Sequence, residues 1–165
     1  MTRDHLLRSL VAAAVLGLAG GTPALPLLAQ QPGKVLLNVD KSGVAIRGYD
    51  PVAYFTEGKA VKGNPDFSAR HEGATYHFAT REHLAAFSAN PARYAPQFGG
   101  YCGYGASRGY PADIDPEAFT IMDGRLILQN SKGVLRRWQE DPDGFLRKAD
   151  GNWPAIVEKH GKPGA

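Results

Sequence analysis

Apolar and polar residues alternate along two stretches of this chain, and each alternation is interrupted at its centre by a turn signal. Residues 67–78 read as a β-hairpin turning at Glu72-Gly73. With a two-residue loop, Phe67 opposes Phe78 and Ala69 opposes Tyr76. The period of two then gathers Phe67, Ala69, Tyr76 and Phe78 on one face, and Ser68, Arg70, Thr75 and His77 on a wetter one. Residues 119–128 are the clearer case. Asp123-Gly124 is a strong type I′ signal that pairs Ile121 with Leu126 and Phe119 with Leu128 on one apolar face. Upstream, residues 35–39 read as a first strand and residues 44–46 as a second short apolar stretch. Gly48-Tyr49-Asp50-Pro51 turns into Val52-Ala53-Tyr54-Phe55, and the polar residues 56–64 read as a loop.

Helical signals lie between and after the hairpins. Thr80 is an N-cap for a helix over residues 81–89, which ends before Asn90-Pro91. Asn90-Pro91 restarts a helical turn through Tyr94. Residues 96–109 are rich in glycine and tyrosine and predict an ordered but irregular segment. Ser131 caps a helix containing Val134, Leu135 and Trp138. Asp141-Pro142 opens another helix through Lys148, and residues 153–160 form a last one. No internal repeat or low-complexity tract is visible. The sum is an α+β domain: small antiparallel hairpins with helices packed on them.

The first 29 positions follow a different pattern. Arg3 and Arg8 precede an uncharged, mostly apolar stretch over residues 10–19. Gly20, Gly21, Pro23 and Pro26 follow, with small residues at Ala24 and Ala29. This is the order of a secretory signal, predicted to be cleaved after Ala29, with Ala24 as the alternative. The apolar run is too short and broken to span a bilayer, which takes about 20 apolar residues. No twin arginine is present, so the general secretion route and a periplasmic location are expected. Residues 30–165 then form one domain, with no later membrane span. The formal net charge of +3 is scattered and forms no basic face, which gives no support to nucleic-acid binding. The 20 glycines and 12 prolines imply many turns.

Tyr76-His77-Phe78, the helix after it and Asn90-Pro91-Ala92-Arg93-Tyr94 together resemble a YHS domain. The longer pattern resembles exported bacterial YHS-domain proteins and covers residues 44–154. It adds Gly48-Tyr49-Asp50-Pro51-Val52-Ala53-Tyr54-Phe55, Gly99-Gly100-Tyr101-Cys102 and Asp123-Gly124-Arg125-Leu126. YHS domains are similar to small metal-binding modules of heavy-metal transporters and sensors. Those modules carry cysteines in an Asp-Pro-x-Cys turn and a Phe-Cys-x-x-x-Cys stretch. Here the three positions hold Ala53, Ala79 and His83, so of the metal role the resemblance implies, only His83 retains a donor.

Cys102 is the single cysteine and has no intramolecular disulfide partner. It is a buried passenger, a dimerising thiol or a reactive group. Its flanking glycines allow backbone N–H groups to approach an anion. His83 falls in the first turn of the helix after Thr80, where the positive helix end disfavours imidazolium and keeps the ring able to ligate metal. A thiolate with one imidazole suits Cu(I) and does not suit structural zinc, which wants four protein ligands. Other donors read as packing or solvated groups: His71 at a hairpin tip, His77 on the wetter face, His160 in the tail, and Met122 at a strand end. Gly105-Ala106-Ser107-Arg108-Gly109 matches a nucleophile-elbow pattern, but Tyr110-Pro111 follows where that motif needs a helix. Asp113, Asp115 and Glu117 lack the spacing of a calcium loop. Tyr49, Tyr54, Tyr101 and Tyr104 with Phe55 and Phe98 read as an aromatic core or the lining of a small pocket.

The expectation is therefore a non-enzymatic periplasmic protein that binds a soft metal, copper, through Cys102 and His83. The alternative is a module for a protein partner or small ligand, with Cys102 buried and no metal. A thiol enzyme is disfavoured because no general base beyond the histidines is identifiable.

Overall fold

Two Xaa-Gly turns organise the chain. Glu72 and Gly73 have φ of 48° and 91°, and Asp123 and Gly124 have φ of 50° and 73°. Two successive left-handed residues make the type I′ turn whose twist matches that of paired strands. The computed structural model describes residues 33–164; the predicted leader, residues 1–29, lies outside the described residues. The chain runs β1 (Lys34–Val35), a 3-10 turn (Ile46–Gly48), α1 (Ala53–Thr56), β2 (Asn64–His71), β3 (Ala74–Phe78), α2 (Arg81–Ala89) and α3 (Pro91–Tyr94). It continues with a second 3-10 turn (Phe98–Gly100), α4 (Gly103–Ser107), β4 (Asp115–Met122), β5 (Arg125–Gln129), α5 (Lys132–Trp138), α6 (Pro142–His160) and β6 (Lys162–Pro163). The strands pair as antiparallel two-stranded ladders, β1 with β6, β2 with β3 and β4 with β5. The α+β class expected from the sequence is the class observed.

The second hairpin has the register expected, with Phe119 opposite Leu128 and Ile121 opposite Leu126. In the first, Ala69 opposes Tyr76 as expected, but Asn64, not Phe67, opposes Phe78. A bulge between Asn64 and Ser68 takes up the difference. The face assignment survives it: Tyr76 and Phe78 are buried, Phe67 and Ala69 partly so, and Ser68 and Arg70 exposed. The single apolar face expected for the second hairpin is incomplete. Leu126 and Leu128 enter one hydrophobic cluster with Phe78, Phe87 and Tyr54. Ile127 enters a second cluster with Trp138, Leu146 and Ile156. β5 is thus buried on both faces, and the alternation fades into a continuous apolar run.

Three expectations are corrected. Residues 35–39 are not one strand: pairing covers Lys34–Val35, and Val39 only bridges Ala45. Residues 96–109 contain a regular element, the short helix α4. The two C-terminal helices are one, α6, which runs through Pro154. A proline removes one helical hydrogen bond. Packing holds the helix across that gap: Leu146, Ala149 and Ile156 are buried on one side, and Asn152 Nδ2 donates to the carbonyls of Ala106 and Ser107 at 3.1 Å each.

The structure also contains a repeat that the sequence conceals. The 3-10 turns Ile46–Gly48 and Phe98–Gly100 each have three left-handed residues in a row, and each is followed by a tyrosine. Asp50 N–H donates to the Val61 carbonyl, and Cys102 N–H donates to the Ala112 carbonyl, both at 2.9 Å. The two hairpins have strands of equal length and bulges at the same step. Thr80 and Ser131 then cap α2 and α5 through the same backbone donor three residues on. Asn90 and Asp141, with nearly identical backbone angles, each precede a proline that opens the next helix. A shift of about 51 positions superposes one set on the other. From the hairpins onward identities are sparse: Pro65 with Pro116, Gly73 with Gly124, Leu84 with Leu135, Pro91 with Pro142. The described chain is two copies of one unit, followed by the long extension of α6.

Candidate functional site

Equivalent places in the two units hold Asp50 and Cys102. Asp50 is completely buried. Its Oδ1 accepts the N–H of Val52 at 2.8 Å and of Ala53 at 3.3 Å, which ties down the entry to α1. Its Oδ2 accepts the N–H of Ala79, directly after β3, at 2.7 Å. The same oxygen lies 2.7 Å from His83 Nδ1. A carboxylate accepts here, so Nδ1 carries the hydrogen of this contact. Nε2 lies 3.3 Å from the Thr56 hydroxyl, which is exposed.

Cys102 is 1% exposed. It precedes α4 as its N-cap, and its Sγ accepts the Gly105 N–H at 3.4 Å. It also faces the backbone N–H of Asn130, directly after β5, as Asp50 faces that of Ala79. The thiol donates to Gln129 Oε1 at 3.3 Å. That oxygen also accepts the Tyr104 N–H at 3.0 Å, which fixes the orientation of the carboxamide. Among the described residues, Gln129 Nε2 is left buried without a hydrogen-bond partner. Burial pushes the Cys102 thiol above its ordinary value, against the opposing pull of the backbone N–H groups of Gly105, Asn130 and Tyr104. The thiol is protonated and enclosed.

The structure thus places the expected metal pair at the corresponding nodes of different units. Cys102 and His83 share no hydrogen-bond partner: one is bonded to Gln129 and Gly105, the other to Asp50 and Thr56. Val134 stands in the second unit where His83 stands in the first. Among the described residues no group of three or more His, Cys, Asp or Glu side chains is arranged to hold a metal ion.

The remaining candidates are mostly committed to packing. His71 lies edge-on to Phe87 with ring centroids 6.0 Å apart. His77 packs beside Gly48. Met122 Sδ accepts the Trp138 indole N–H at 3.3 Å. Ser107 lies in α4 and donates to the Tyr104 carbonyl, so the Gly-x-Ser-x-Gly match has no base at its serine. Asp113 pairs with Arg47 at 2.6 Å, Glu117 pairs with Lys132 at 3.0 Å, and Asp115 accepts the Glu117 N–H. Tyr54 is buried and donates to the Pro116 carbonyl, while Tyr104 and Phe145 pack edge to face. Tyr101 is the exception. It lines an open groove of about 980 Å³ with Val35, Leu37, Val39, Lys41 and Lys162, and His160 also lies there.

Sequence reasoning missed Asp50, Thr56 and Gln129. Asp50 had a signal, an Asp two and three residues before backbone donors that need a cap. Gln129 had a weaker one, a carboxamide at the end of an apolar strand. No family model, no curated protein and no solved structure matches the chain. Fold and nodes define it as an α+β protein of two like units. No helix among the described residues is long and apolar enough to cross a membrane.

Proposed function

We propose that the chain is a non-enzymatic binding module of the YHS type, exported to the periplasm, in which Cys102 is a structural group. Its ligand or protein partner engages the groove beside Tyr101. The observation that carries this reading is the enclosure of Cys102: its Sγ caps α4 and donates into Gln129, with 1% exposure. A thiol acts as nucleophile or soft ligand through its thiolate, and burial here favours the protonated form. The groove supports the binding half of the proposal, since its volume is at the upper end of what small-ligand sites occupy.

A second reading, metal binding at His83 alone, is favoured by one observation. Asp50 engages Nδ1 and leaves Nε2 against the exposed Thr56 hydroxyl, and a carboxylate on one ring nitrogen is how a metal-bound imidazole is oriented. Copper(I) competition against a chromophoric chelator separates the two readings, using the full chain, Cys102→Ala and His83→Ala. The proposal expects no variant, wild type included, to withdraw a stoichiometric equivalent. An equivalent lost with Cys102→Ala restores the thiol–copper function, and one lost only with His83→Ala establishes the second reading.

A further inference from the structure

The second node carries one buried donor too many. Gln129 is wholly buried, its carboxamide oxygen takes the Cys102 thiol hydrogen, and its Nε2 on the same amide has no partner. An unsatisfied buried N–H is costly and uncommon. In the first unit the equivalent place is filled by an anion, the Asp50 carboxylate, and there each oxygen has donors of its own: Val52 and Ala53 N–H on one, Ala79 N–H and His83 Nδ1 on the other. The second unit offers a matching set around a smaller group: the backbone N–H groups of Gly105, Asn130 and Tyr104, and the partnerless Nε2 of the Gln129 amide whose oxygen takes the thiol hydrogen.

We propose that Cys102 is an oxidation site, and that its sulfinate takes up the place the Asp50 carboxylate holds in the first unit. The oxidant is hydrogen peroxide. In the first step the minor thiolate form attacks one peroxide oxygen, the S–O bond forms as the O–O bond breaks, and the departing hydroxide takes up the proton the thiol released, as water. A second peroxide repeats the step on the sulfenic acid and yields a sulfinic acid and a second water; the sulfinic proton is lost to solvent. With no second cysteine in the chain, the sulfenic acid cannot be diverted to an intramolecular disulfide. Rotation of the Gln129 carboxamide turns Nε2 onto a new oxygen and frees the Tyr104 N–H for the other. Burial and the protonated thiol make the reaction slow, and peroxide, little larger than water, reaches the sulfur through local opening that admits no bulkier reagent.

The test treats the native full chain with hydrogen peroxide and maps the products by peptide mass. The peptide between Arg93 and Arg108 contains Cys102 and no methionine, so two added oxygens there are unambiguous. The proposal expects that product with circular dichroism unchanged and a melting temperature equal to or above that of the untreated chain. It expects Cys102→Asp to fold and to melt at or above Cys102→Ala, and Gln129→Leu to melt lower after oxidation than before it. An intact Cys102 beside an oxidised Met122 overturns the proposal. So does oxidation that unfolds the chain, or a Cys102→Asp variant that fails to fold where Cys102→Ala succeeds.

Discussion

Asp50 accepts backbone hydrogens from Val52, Ala53 and Ala79 as well as the His83 ring, and none of it reaches solvent. Removing the acceptor strands several buried donors at once, and each costs about 1–3 kcal/mol. Asp50→Ala is therefore expected to lower stability by about 3–4 kcal/mol in urea unfolding, and His83→Ala by about 1 kcal/mol, since Ala79 still satisfies Oδ2. An Asp50→Ala variant as stable as His83→Ala would show that the node holds nothing. Alkaline pH probes the thiol and the two core tyrosines, Tyr54, which burial raises most, and Tyr76. Burial raises Tyr76 from 10.0 to about 12 and raises Cys102 from 9.0. All three groups release their protons more readily from the unfolded chain. Their contribution is thus fully present below about pH 9 and is lost progressively as pH rises toward about 12. The urea midpoint should fall over that range, and Tyr76→Phe should flatten the fall. At this scale the sequence made Cys102 and His83 visible as donors, but not their partners. Asp50 and Gln129 lie far from them in the chain, and only the fold brings them into contact.

Turn chemistry explains which elements were legible. Glu72-Gly73 and Asp123-Gly124 are local signals, and both hairpins they predict are present; the first keeps its expected inward face, while in the second Ile121 is exposed and Ile127 is buried on the opposite face. The caps Thr80 and Ser131 worked for the same reason. The bulge between Asn64 and Ser68 left no local trace, and α4 is hidden because Gly103 and Gly105 are poor helix formers. Gly103 is nonetheless required: a Cβ there would lie 2.5 Å from Ile127 Cγ2. Two left-handed glycines give a contrast that tests the second 3-10 turn. A Cβ on Gly99 (φ 56°) would lie 1.9 Å from the Leu36 carbonyl oxygen, while one on Gly109 (φ 88°) would meet nothing within 4 Å. Gly109→Ala should cost only the conformational penalty, about 1–2 kcal/mol. Gly99→Ala should cost at least about 3 kcal/mol, because backbone must also move. Equal midpoints for the two variants in chemical denaturation would mean that the Leu36–Gly99 approach is not tight.

The described residues hold two units whose hairpins and helices follow one plan, and sparse identity between them hid this from a sequence reading that saw no repeat. Turn, cap and proline positions correspond between the units, while most packed side chains differ: Trp138 stands where Phe87 does and Phe145 where Tyr94 does. The nodes differ in the same way, with an aspartate–histidine pair in one unit and an enclosed thiol in the other. The enclosure of Cys102 is the central claim, because it makes the only cysteine part of the architecture and not an open ligand. The most direct measurement is the rate at which Cys102 in the native full chain reacts with an excess of a bulky aromatic disulfide reagent, followed as urea is raised. The account predicts that labelling proceeds only through global opening, with the free energy and urea dependence of unfolding itself. Fast labelling without urea, insensitive to its addition, would contradict it and return the thiol to the surface chemistry of an open metal ligand.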